Sequence, residues 1–237
     1  MENTVLHKAD TRGHADHGWL QANFSFSFGS WYNPDRVQFG ALRVLNDDVI
    51  GEGMGFGTHP HDNMEIITIP LEGDLAHKDS MGNAATIKNG DVQVMSAGTG
   101  IQHSEFNPNA DLKTKSLQIW LFPNKKNVTP RYQQISLSPA DRINKLQQIL
   151  SPNPEDDGVW IHQDAWFHLG KFDKDSTFTY DLKKEGNGVY AFILSGKLTI
   201  NGQELETRDG FGIWNVAQLQ IKTNTEAEIL LMEVPMQ

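Results

Sequence analysis

The sequence predicts an all-β protein built from two domains in tandem, each a sandwich or barrel of short strands. Short apolar or alternating runs such as "MEIITIPL", "DVQVMS" and "YAFILS" recur between Gly, Pro, Asn and Asp residues, and their β-branched and aromatic content is typical of strands. Long stretches with a 3.6-residue apolar period are missing. The 237 residues suffice for one large β-domain or two domains of ordinary size.

Helices are expected to be few and short. The best candidate is "SPADRINKLQQIL", in which Ser138 suits the N-cap and Pro139 suits the first turn. Its tail, "KLQQIL", is equally compatible with a strand. Many short strands with so little helix favour a sandwich or barrel architecture.

A change of composition divides the chain. Two stretches rich in Pro, Asn and charge, "PNKKNVTPRYQQ" and "SPNPEDDG", bracket a linker-like region from Pro123 to Gly158. We expect an N-terminal domain over residues 1–135 and a C-terminal domain over residues 136–237. The halves also echo each other: the stretches from Leu71 and from Leu194 both run through x-Gly-x-Leu, a Gly-containing hairpin and a second Gly next to Asp into an apolar strand. This order indicates an internal duplication of one β-unit.

Composition excludes several classes of partner. The formal net charge is -10, from 30 acidic and 20 basic side chains, and such a surface repels nucleic acid and anionic membranes. The apolar runs are too short to span a bilayer, and the N-terminus lacks the pattern of a secretory signal. We expect a cytoplasmic monomer. Because cysteine is absent, disulfides, thiolate zinc sites, Fe–S clusters and a cysteine nucleophile are excluded.

Two histidine-containing pairs carry the chemistry. In "GTHPHDNMEI", His59 and His61 share one face of a strand because side chains alternate, with their backbones ~6.6 Å apart. Pro60 cannot donate a ladder hydrogen bond, so this part of the strand is an edge or a mouth. In "GTGIQHSEFN", His103 and Glu105 repeat the spacing. Two adjacent antiparallel strands would therefore point three histidines and a carboxylate into a barrel.

Spacing alone leaves the carboxylate ligand open. On an unbroken strand Glu65 continues the alternation of His59 and His61 and also faces inward, so either Glu65 or Glu105 fits. One of them can instead titrate beside the metal. For five further histidines, which have no such partner in the pattern, we expect ordinary structural roles: His14, His17, His77, His162 and His168.

These motifs resemble those of the cupins. Gly53, His59-Pro60-His61, Glu65 and Gly73 match the first cupin motif. In this sequence the gap between the glutamate and the last glycine is one residue longer than in the common pattern. The end of the second motif is matched by Gly100, His103 and Asn107. Gly98 stands where a proline is usual, and the spacing back to Gly90 is two residues longer than the common pattern.

Longer stretches are similar to the pirin family, which includes bacterial quercetinases. They are "RGHADHGWL", "FGALRVLNDD", "GFGTHPHDNMEIITIPLEGDLAHKDSMGN" and "GDVQVMSAGTGIQHSEFN". The resemblance is dense from Arg12 to Phe122 and continues more thinly through the second half. It implies a bicupin, with two jelly-roll β-barrels in tandem and a metal ion in the N-terminal barrel alone.

The resemblance also implies the ligands. Carried over motif by motif, they are His59, His61, His103 and Glu105. Glu65 then becomes an inward-facing residue with a supporting or structural role. In the second half, Val189 stands where a motif-one glutamate would fall and no His-x-His precedes it, so no metal is expected there.

The implied activity is that of a flavonol 2,3-dioxygenase, which opens the central ring of a flavonol such as quercetin with dioxygen and releases carbon monoxide. Three imidazoles and one carboxylate leave open positions on one divalent transition metal, with Fe(II) as first choice and Ni, Co, Mn or Cu as alternatives. Glu105 is the expected catalytic base. Met54, Phe56 and Phe106 flank the ligands and are candidates to line a substrate pocket, although such residues more often belong to a core.

Two other functions are compatible with the sequence. Eukaryotic pirins are linked to transcription, which implies a non-catalytic, metal-binding, redox-responsive regulatory protein acting through an unidentified protein partner. Cupin folds also host many chemistries, including metal-dependent isomerases and oxygenases of other enediols. Turnover of a flavonol with release of carbon monoxide distinguishes the flavonol dioxygenase from both of these alternatives.

Overall fold

The computed structural model describes residues 2–236, and strands dominate it. In chain order the first twelve strands are β1 (Asn3–His7), β2 (Gly13–Asp16), β3 (Leu20–Phe24), β4 (Leu42–Ile50), β5 (Gly55–His61), β6 (Glu65–Glu72), β7 (Leu75–Asp79), β8 (Ala84–Ile87), β9 (Asp91–Ser96), β10 (Ile101–Phe106), β11 (Thr114–Leu121) and β12 (Arg131–Ser136).

The remaining strands follow a short 3-10 helix at Pro139–Arg142, and a second such helix, at Ala9–Thr11, follows β1. They are β13 (Leu146–Ser151), β14 (Val159–Trp160), β15 (Trp166–Phe172), β16 (Thr177–Asp181), β17 (Asn187–Ser195), β18 (Lys197–Ile200), β19 (Gln203–Glu206), β20 (Gly210–Trp214), β21 (Gln218–Thr223) and β22 (Ala227–Pro235). Among residues 2–236, no helix is long and apolar enough to cross a membrane.

Each half of the chain pairs a seven-stranded sheet with a four-stranded sheet. The first barrel consists of the sheets β12-β9-β6-β11-β4-β3-β2 and β5-β10-β7-β8. The second barrel consists of β1-β20-β17-β22-β15-β13-β14 and β16-β21-β18-β19. This repeated two-sheet arrangement confirms the predicted all-β bicupin. The boundary between residues 135 and 136 stays a prediction, but β12 runs across it, and β1, from the predicted N-terminal domain, pairs with β20 of the second barrel.

The two seven-stranded sheets pack on each other through the largest apolar cluster. From the first barrel it contains Ile67 and Ile119, and from the second it contains Phe192, Leu230 and Met232. Alternate residues of β22 point the other way, into the interior of the second barrel. One strand therefore serves two cores, which explains its almost continuous apolar sequence "AEILLMEV".

The segment from Pro123 to Gly158 is more ordered than the predicted linker. It contributes β12 to the edge of the first barrel and β13 to the second. The predicted helix shrinks to the 3-10 turn at Pro139–Arg142, where Ser138 makes no side-chain cap, and all but the first residue of its tail "KLQQIL" belongs to β13. Pairing of β13 with β15 offers ladder hydrogen bonds that a short isolated helix lacks.

Candidate metal centre

The candidate centre is built on two antiparallel strands of the four-stranded sheet in the first barrel. β5 carries His59 and His61, and β10 carries His103 and Glu105. The ladder sets His103 directly opposite His59. β5 is the edge strand of its sheet, which is why Pro60 is tolerated between the two histidines. The predicted strand pairing and edge position are confirmed.

Three histidines converge at this ladder. One ligand nitrogen from each of His59, His61 and His103 lies within 4.8 Å of the other two, and Nε2 of His61 is 3.1 Å from Nε2 of His103. His59 donates Nδ1–H to the carbonyl oxygen of Gly57 at 2.8 Å, which leaves its Nε2 lone pair free. A histidine that binds a metal commonly holds its second nitrogen in this way.

Burial keeps two of these imidazoles uncharged at neutral pH. It lowers the pKa of His61 to about 4 and that of His103 to about 3, and the neighbouring histidines act in the same direction. The neutral imidazole is the form that binds metal ions. Nδ1 of His103 is buried without a hydrogen-bond partner in residues 2–236.

Glu105 is buried and lies beside the histidines. A bulge separates it from His103, because the register of β10 against β5 shifts between these two residues. Its carboxylate accepts hydrogen bonds from Gln118 Nε2 at 2.9 Å and Thr68 Oγ1 at 3.4 Å. Burial raises the pKa of Glu105, while the charge of His77 and the bond from Gln118 oppose that rise.

The four predicted ligands do not form a single close group. Glu105 gathers instead with His103 and His77, whose ligand atoms also lie within 4.8 Å of one another. His103 belongs to both groups and links them. The assignment of His59, His61, His103 and Glu105 as the ligand set therefore stays a prediction.

His77, for which an ordinary structural role was expected, lies in the second group of possible ligands. It lies on β7 opposite Glu105, and only 2% of its surface is exposed. Its Nε2 is 3.1 Å from Asp79 Oδ2, and its buried Nδ1 has no partner within the described residues. The one signal in the sequence was the alternation in "LAHKD", which puts Leu75, His77 and Asp79 on one face of a strand.

Glu65 does not face the histidines, and the prediction of an inward-facing Glu65 was wrong. β5 ends at His61, and Asn63, with φ of 43°, turns the chain before β6 begins. The alternation of side chains is therefore not carried from one strand to the next. On β6, Glu65 shares its face with Ile67 and Ile69, which pack in the cluster between the two seven-stranded sheets.

The surroundings of Glu65 belong to that contact between barrels. Its Oε2 accepts a hydrogen bond of 2.7 Å from Ser96 Oγ. Burial raises the pKa of Glu65 to about 7, although the bond from Ser96 and the charge of Arg131 act against the rise. The Arg131 guanidinium lies over the ring of Trp160 at 3.8 Å, so Arg131 joins the first barrel to the second.

A cavity of about 320 Å³ opens next to the histidines. Most of its wall is apolar, and Phe56 belongs to it, as proposed from the sequence. Met54 and Phe106 are exposed and stand outside its lining. The lining residues of β2 to β5 and their loops are Ala15, His17, Leu20, Ala22, Phe24, Phe28, Gly29, Ser30, Asn46, Asp48, Phe56, His59 and His61.

Strands β10 and β11 complete the cavity with Glu105, Gln118 and Trp120. His17, for which a structural role was expected, is exposed at the rim. Burial raises the pKa of Asp48 to about 8, and the nearby Asp47 and Glu105 carboxyls add to the rise. The cavity thus joins an apolar wall to a small group of buried polar side chains, the usual composition of a small-molecule site.

The residues present fit a divalent metal ion. Three clustered imidazoles, two of them kept neutral by burial, and a buried carboxyl group are the donors that Fe, Ni, Co, Mn or Cu prefer in the absence of thiolates. Nε2 of His61 and Nε2 of His103 are 3.1 Å apart, a distance at which one donates to the other when no ion is bound and at which both lone pairs reach one cation when an ion is bound.

Comparisons with known proteins agree with this architecture. A family model described as Pirin matches residues 5–121, and one described as Quercetinase C-terminal cupin domain matches residues 148–234. Over 230 residues, the chain is 43% identical to a protein of Escherichia coli strain K12 named quercetin 2,3-dioxygenase, with 97% of this chain and 98% of that protein covered. The chain belongs to the pirin family.

Solved structures of pirins have the same fold. The crystal structure of YhhW from Escherichia coli matches with a TM-score of 0.94 at 42% identity, covering 98% of both chains. The structure of this bacterial pirin in complex with nickel(II) matches with a TM-score of 0.93 at 41% identity, covering 98% of this chain and 99% of that one. The predicted family is confirmed, and a nickel-bound pirin supports a divalent metal as the cofactor class.

Proposed function

We propose that this pirin is a metal-dependent flavonol 2,3-dioxygenase, which takes up one molecule of dioxygen, opens the central ring of a flavonol such as quercetin and releases one carbon as carbon monoxide. Both atoms of dioxygen enter the depside, one on each of the two ring carbons that flank the lost carbon, and carbon monoxide carries away that carbon with the oxygen of the former 3-hydroxyl group. The observation that carries the proposal is the apolar cavity bordered by His59, His61 and Glu105. The name of the Escherichia coli relative supports the choice of substrate.

His59, His61, His103 and Glu105 are the residues that would hold the ion, with Fe(II) as first choice and Ni, Co, Mn or Cu as alternatives. When bound, such an ion would supply Lewis-acid and redox chemistry beside the cavity. The neutral state of the His61 and His103 imidazoles leaves their lone pairs available at physiological pH.

Glu105 is the base in this proposal. Its carboxylate borders the cavity and accepts the proton of the flavonol 3-hydroxyl group on an oxygen. Gln118 Nε2 and Thr68 Oγ1 hold its two oxygens in place. Because burial raises its pKa, Glu105 binds a proton more tightly than an exposed carboxylate and so is the stronger base.

The aromatic side chains of the cavity orient the substrate. Phe24, Phe28, Phe56 and Trp120 present ring surfaces to the space beside the histidines. Flat aromatic rings stack on such surfaces and displace water from them. Exclusion of water protects a reactive flavonol anion from side reactions while dioxygen adds.

Aerobic turnover of quercetin tests the proposal. Metal-free protein is loaded separately with Fe, Ni, Co, Mn or Cu, and loss of quercetin absorbance is recorded together with carbon monoxide. We expect turnover with at least one metal, and a loss of at least about 100-fold in His61→Ala. His14→Ala is the matched control, because His14 is exposed and stands outside the cavity lining.

Two results would contradict the proposal. Absence of turnover with every metal is the first, and if metal binding is intact it favours the non-catalytic regulatory function. Equal turnover by wild type and His61→Ala is the second, because flavonol loss would then be independent of the histidine cluster.

A further inference from the structure

The wall of the cavity formed by β4 carries two polar side chains that lack partners. Asn46 and Asp48 are two residues apart on this strand, so both point into the first barrel, and only 3% and 5% of their surfaces are exposed. Neither Asn46 Oδ1 nor Asp48 Oδ1 has a hydrogen-bond partner within residues 2–236. Buried oxygens without partners destabilise a fold, so their presence here calls for a ligand.

The residue between them has the opposite environment. Asp47 points out of the barrel, where its Oδ2 accepts from Arg12 Nη1 at 3.1 Å and from Arg208 Nε at 2.9 Å. On one strand, Oδ2 of the outward carboxylate has two arginine partners, whereas Oδ1 of each inward side chain has none within the described residues. On β4, the side-chain oxygens that lack hydrogen-bond partners therefore lie on the face that lines the cavity.

The pair lies beside the candidate metal centre but outside it. Asn46 is opposite Gln118 of β11, and Gln118 donates to Glu105. Asp48 is two residues further along β4, on the same face, and is opposite Ser116 of β11. Gln118 therefore stands between the carboxylate of the centre and the two unpaired oxygens, and a ligand that reaches both must extend along this wall.

The surroundings define the chemistry of that ligand. On β3, Phe24 is opposite Asn46 and Ala22 is opposite Asp48, and both line the cavity. Oxygen acceptors in an apolar wall call for a group with a flat apolar body and an O–H donor at its edge. A phenolic ring meets both requirements. An aliphatic polyol would lose hydration against the apolar wall and gain little in return.

We propose that Asn46 and Asp48 form a hydroxyl-recognition subsite that selects flavonols bearing phenolic hydroxyl groups on their rings. The subsite rests on the proposed function for the class of its ligand, and it goes further by assigning substrate choice to two residues away from the metal ligands. A site that hydrogen-bonds a substrate hydroxyl rejects an analogue without it, because its own buried acceptors are then left unpaired.

Anaerobic binding measurements test the subsite without turnover. Quercetin is compared with 3-hydroxyflavone, which has the same ring system and the 3-hydroxyl group but none of the other hydroxyls, by fluorescence titration of the metal-loaded protein. We expect wild type to prefer quercetin. In Asp48→Leu and Asn46→Leu, the Kd for quercetin rises about 5–10-fold, while the Kd for 3-hydroxyflavone stays within about twofold of wild type.

Two further variants separate recognition from folding. Asp48→Asn keeps an oxygen acceptor at the same place and should restore most of the preference for quercetin. Asp47→Asn is the matched control on the opposite face: it weakens the pairing with Arg12 and Arg208 and leaves the preference unchanged. Melting temperatures confirm that each variant is folded, and those of the two leucine variants should equal or exceed that of wild type.

The outcomes distinguish this subsite from the proposed reaction. If wild type binds both flavonols equally, or the leucine variants keep the wild-type preference, the subsite is overturned whether or not quercetin is turned over. If the preference is present and is lost in the leucine variants while no metal supports turnover, the subsite stands and the dioxygenase activity fails.

Discussion

At the scale of single residues, burial sets the charge of the candidate centre. It lowers the pKa values of His61 and His103 and raises those of Glu105 and Asp48. All four shifts favour the uncharged form of the side chain. The first barrel therefore keeps ionisable groups in its interior at low net charge, and a divalent cation reverses that preference for the carboxyl groups around it.

Glu65 makes the stability of the protein depend on pH. In the unfolded chain its carboxyl group ionises near the ordinary pKa of 4.5, and in the folded chain near 7. Stability contributed by this protonated group is present below 4.5 and is lost as pH rises through 7. Glu65→Gln keeps an acceptor for Ser96 and should stabilise the protein by on the order of 2–3 kcal/mol at pH 8, with a smaller gain toward pH 5. Urea denaturation at pH 5, 6, 7 and 8 measures this difference.

Glu72→Gln is the matched control for that measurement. Glu72 is on the same strand, but its side chain is 47% exposed and pairs with Lys115 at the surface. We expect its effect to be small and nearly independent of pH. Parallel stability curves for wild type and Glu65→Gln would show that burial at the contact between the barrels does not perturb the Glu65 carboxyl.

The residues of the candidate site differ in how well they could be predicted from the sequence. His59, His61, His103 and Glu105 were visible because i, i+2 pairs on two strands leave a pattern. His77 shows only the alternation of a strand in "LAHKD", because its place opposite Glu105 depends on the pairing of β7 with β10. Which way a side chain faces after a turn depends on backbone dihedrals that spacing does not encode, and this is why Glu65 was misplaced.

At the scale of elements, the ladder between β5 and β10 brings two backbones close together at the candidate centre. Two steps along β10, from His103 to Glu105, face three steps along β5, from His59 to Phe56, so β5 carries the extra residue and bends at the centre itself. Gly55 makes this approach possible. A Cβ atom there would lie 2.2 Å from the carbonyl oxygen of Glu105 and 2.5 Å from Cα of Phe106.

Gly55→Ala should therefore weaken metal binding although residue 55 is not a candidate ligand. The added methyl group forces β5 away from β10 and separates the histidines of one strand from His103 and Glu105 of the other. We expect the affinity for nickel, measured by calorimetric titration, to fall about 10-fold or more. Gly57→Ala is the matched control, since a Cβ at Gly57 meets nothing within 4 Å. Unchanged affinity in Gly55→Ala would refute the close approach as a requirement of the centre.

Element types were predictable and element partners were less so. Alternation and β-branched content identified most strands, and "KLQQIL" was ambiguous because six residues with apolar side chains at Leu146, Ile149 and Leu150 fit a strand or a helix. The region from Pro123 to Gly158 resembled a linker because its Pro, Asn and charged residues are typical of loops. Its strands β12 and β13 are edge or near-edge members of the two seven-stranded sheets, where polar side chains reach solvent.

At the scale of the whole molecule, the two barrels are joined by more than their shared apolar cluster. β1 begins the chain yet pairs along its whole length with β20 of the second barrel. His7 Nδ1 is 2.9 Å from the Tyr190 hydroxyl, and Lys8 pairs with the buried Asp209. No local pattern in "NTVLH" predicts this pairing, because its partner is some 200 residues away in the sequence.

Deletion of residues 2–8 should therefore lower stability and leave metal binding intact. The deletion removes the ladder with β20, the contact of His7 with Tyr190 and the ion pair of Lys8, and it exposes β20 as a new sheet edge. A loss of about 3 kcal/mol corresponds to a fall of about 6–12 °C in Tm for a chain of this size.

Thermal denaturation and calorimetric nickel titration of the deletion variant show whether the second barrel affects only the stability of the protein or also the metal centre in the first barrel. The histidines lie on β5 and β10 of the first barrel, whereas β1 supports the second. If the barrels depend on each other only for stability, the deletion lowers Tm and leaves the affinity for nickel unchanged. Glu2→Ala is the control: Glu2 precedes β1, and this variant should behave as wild type. Loss of nickel binding in folded protein would show instead that docking of the second barrel shapes the centre in the first.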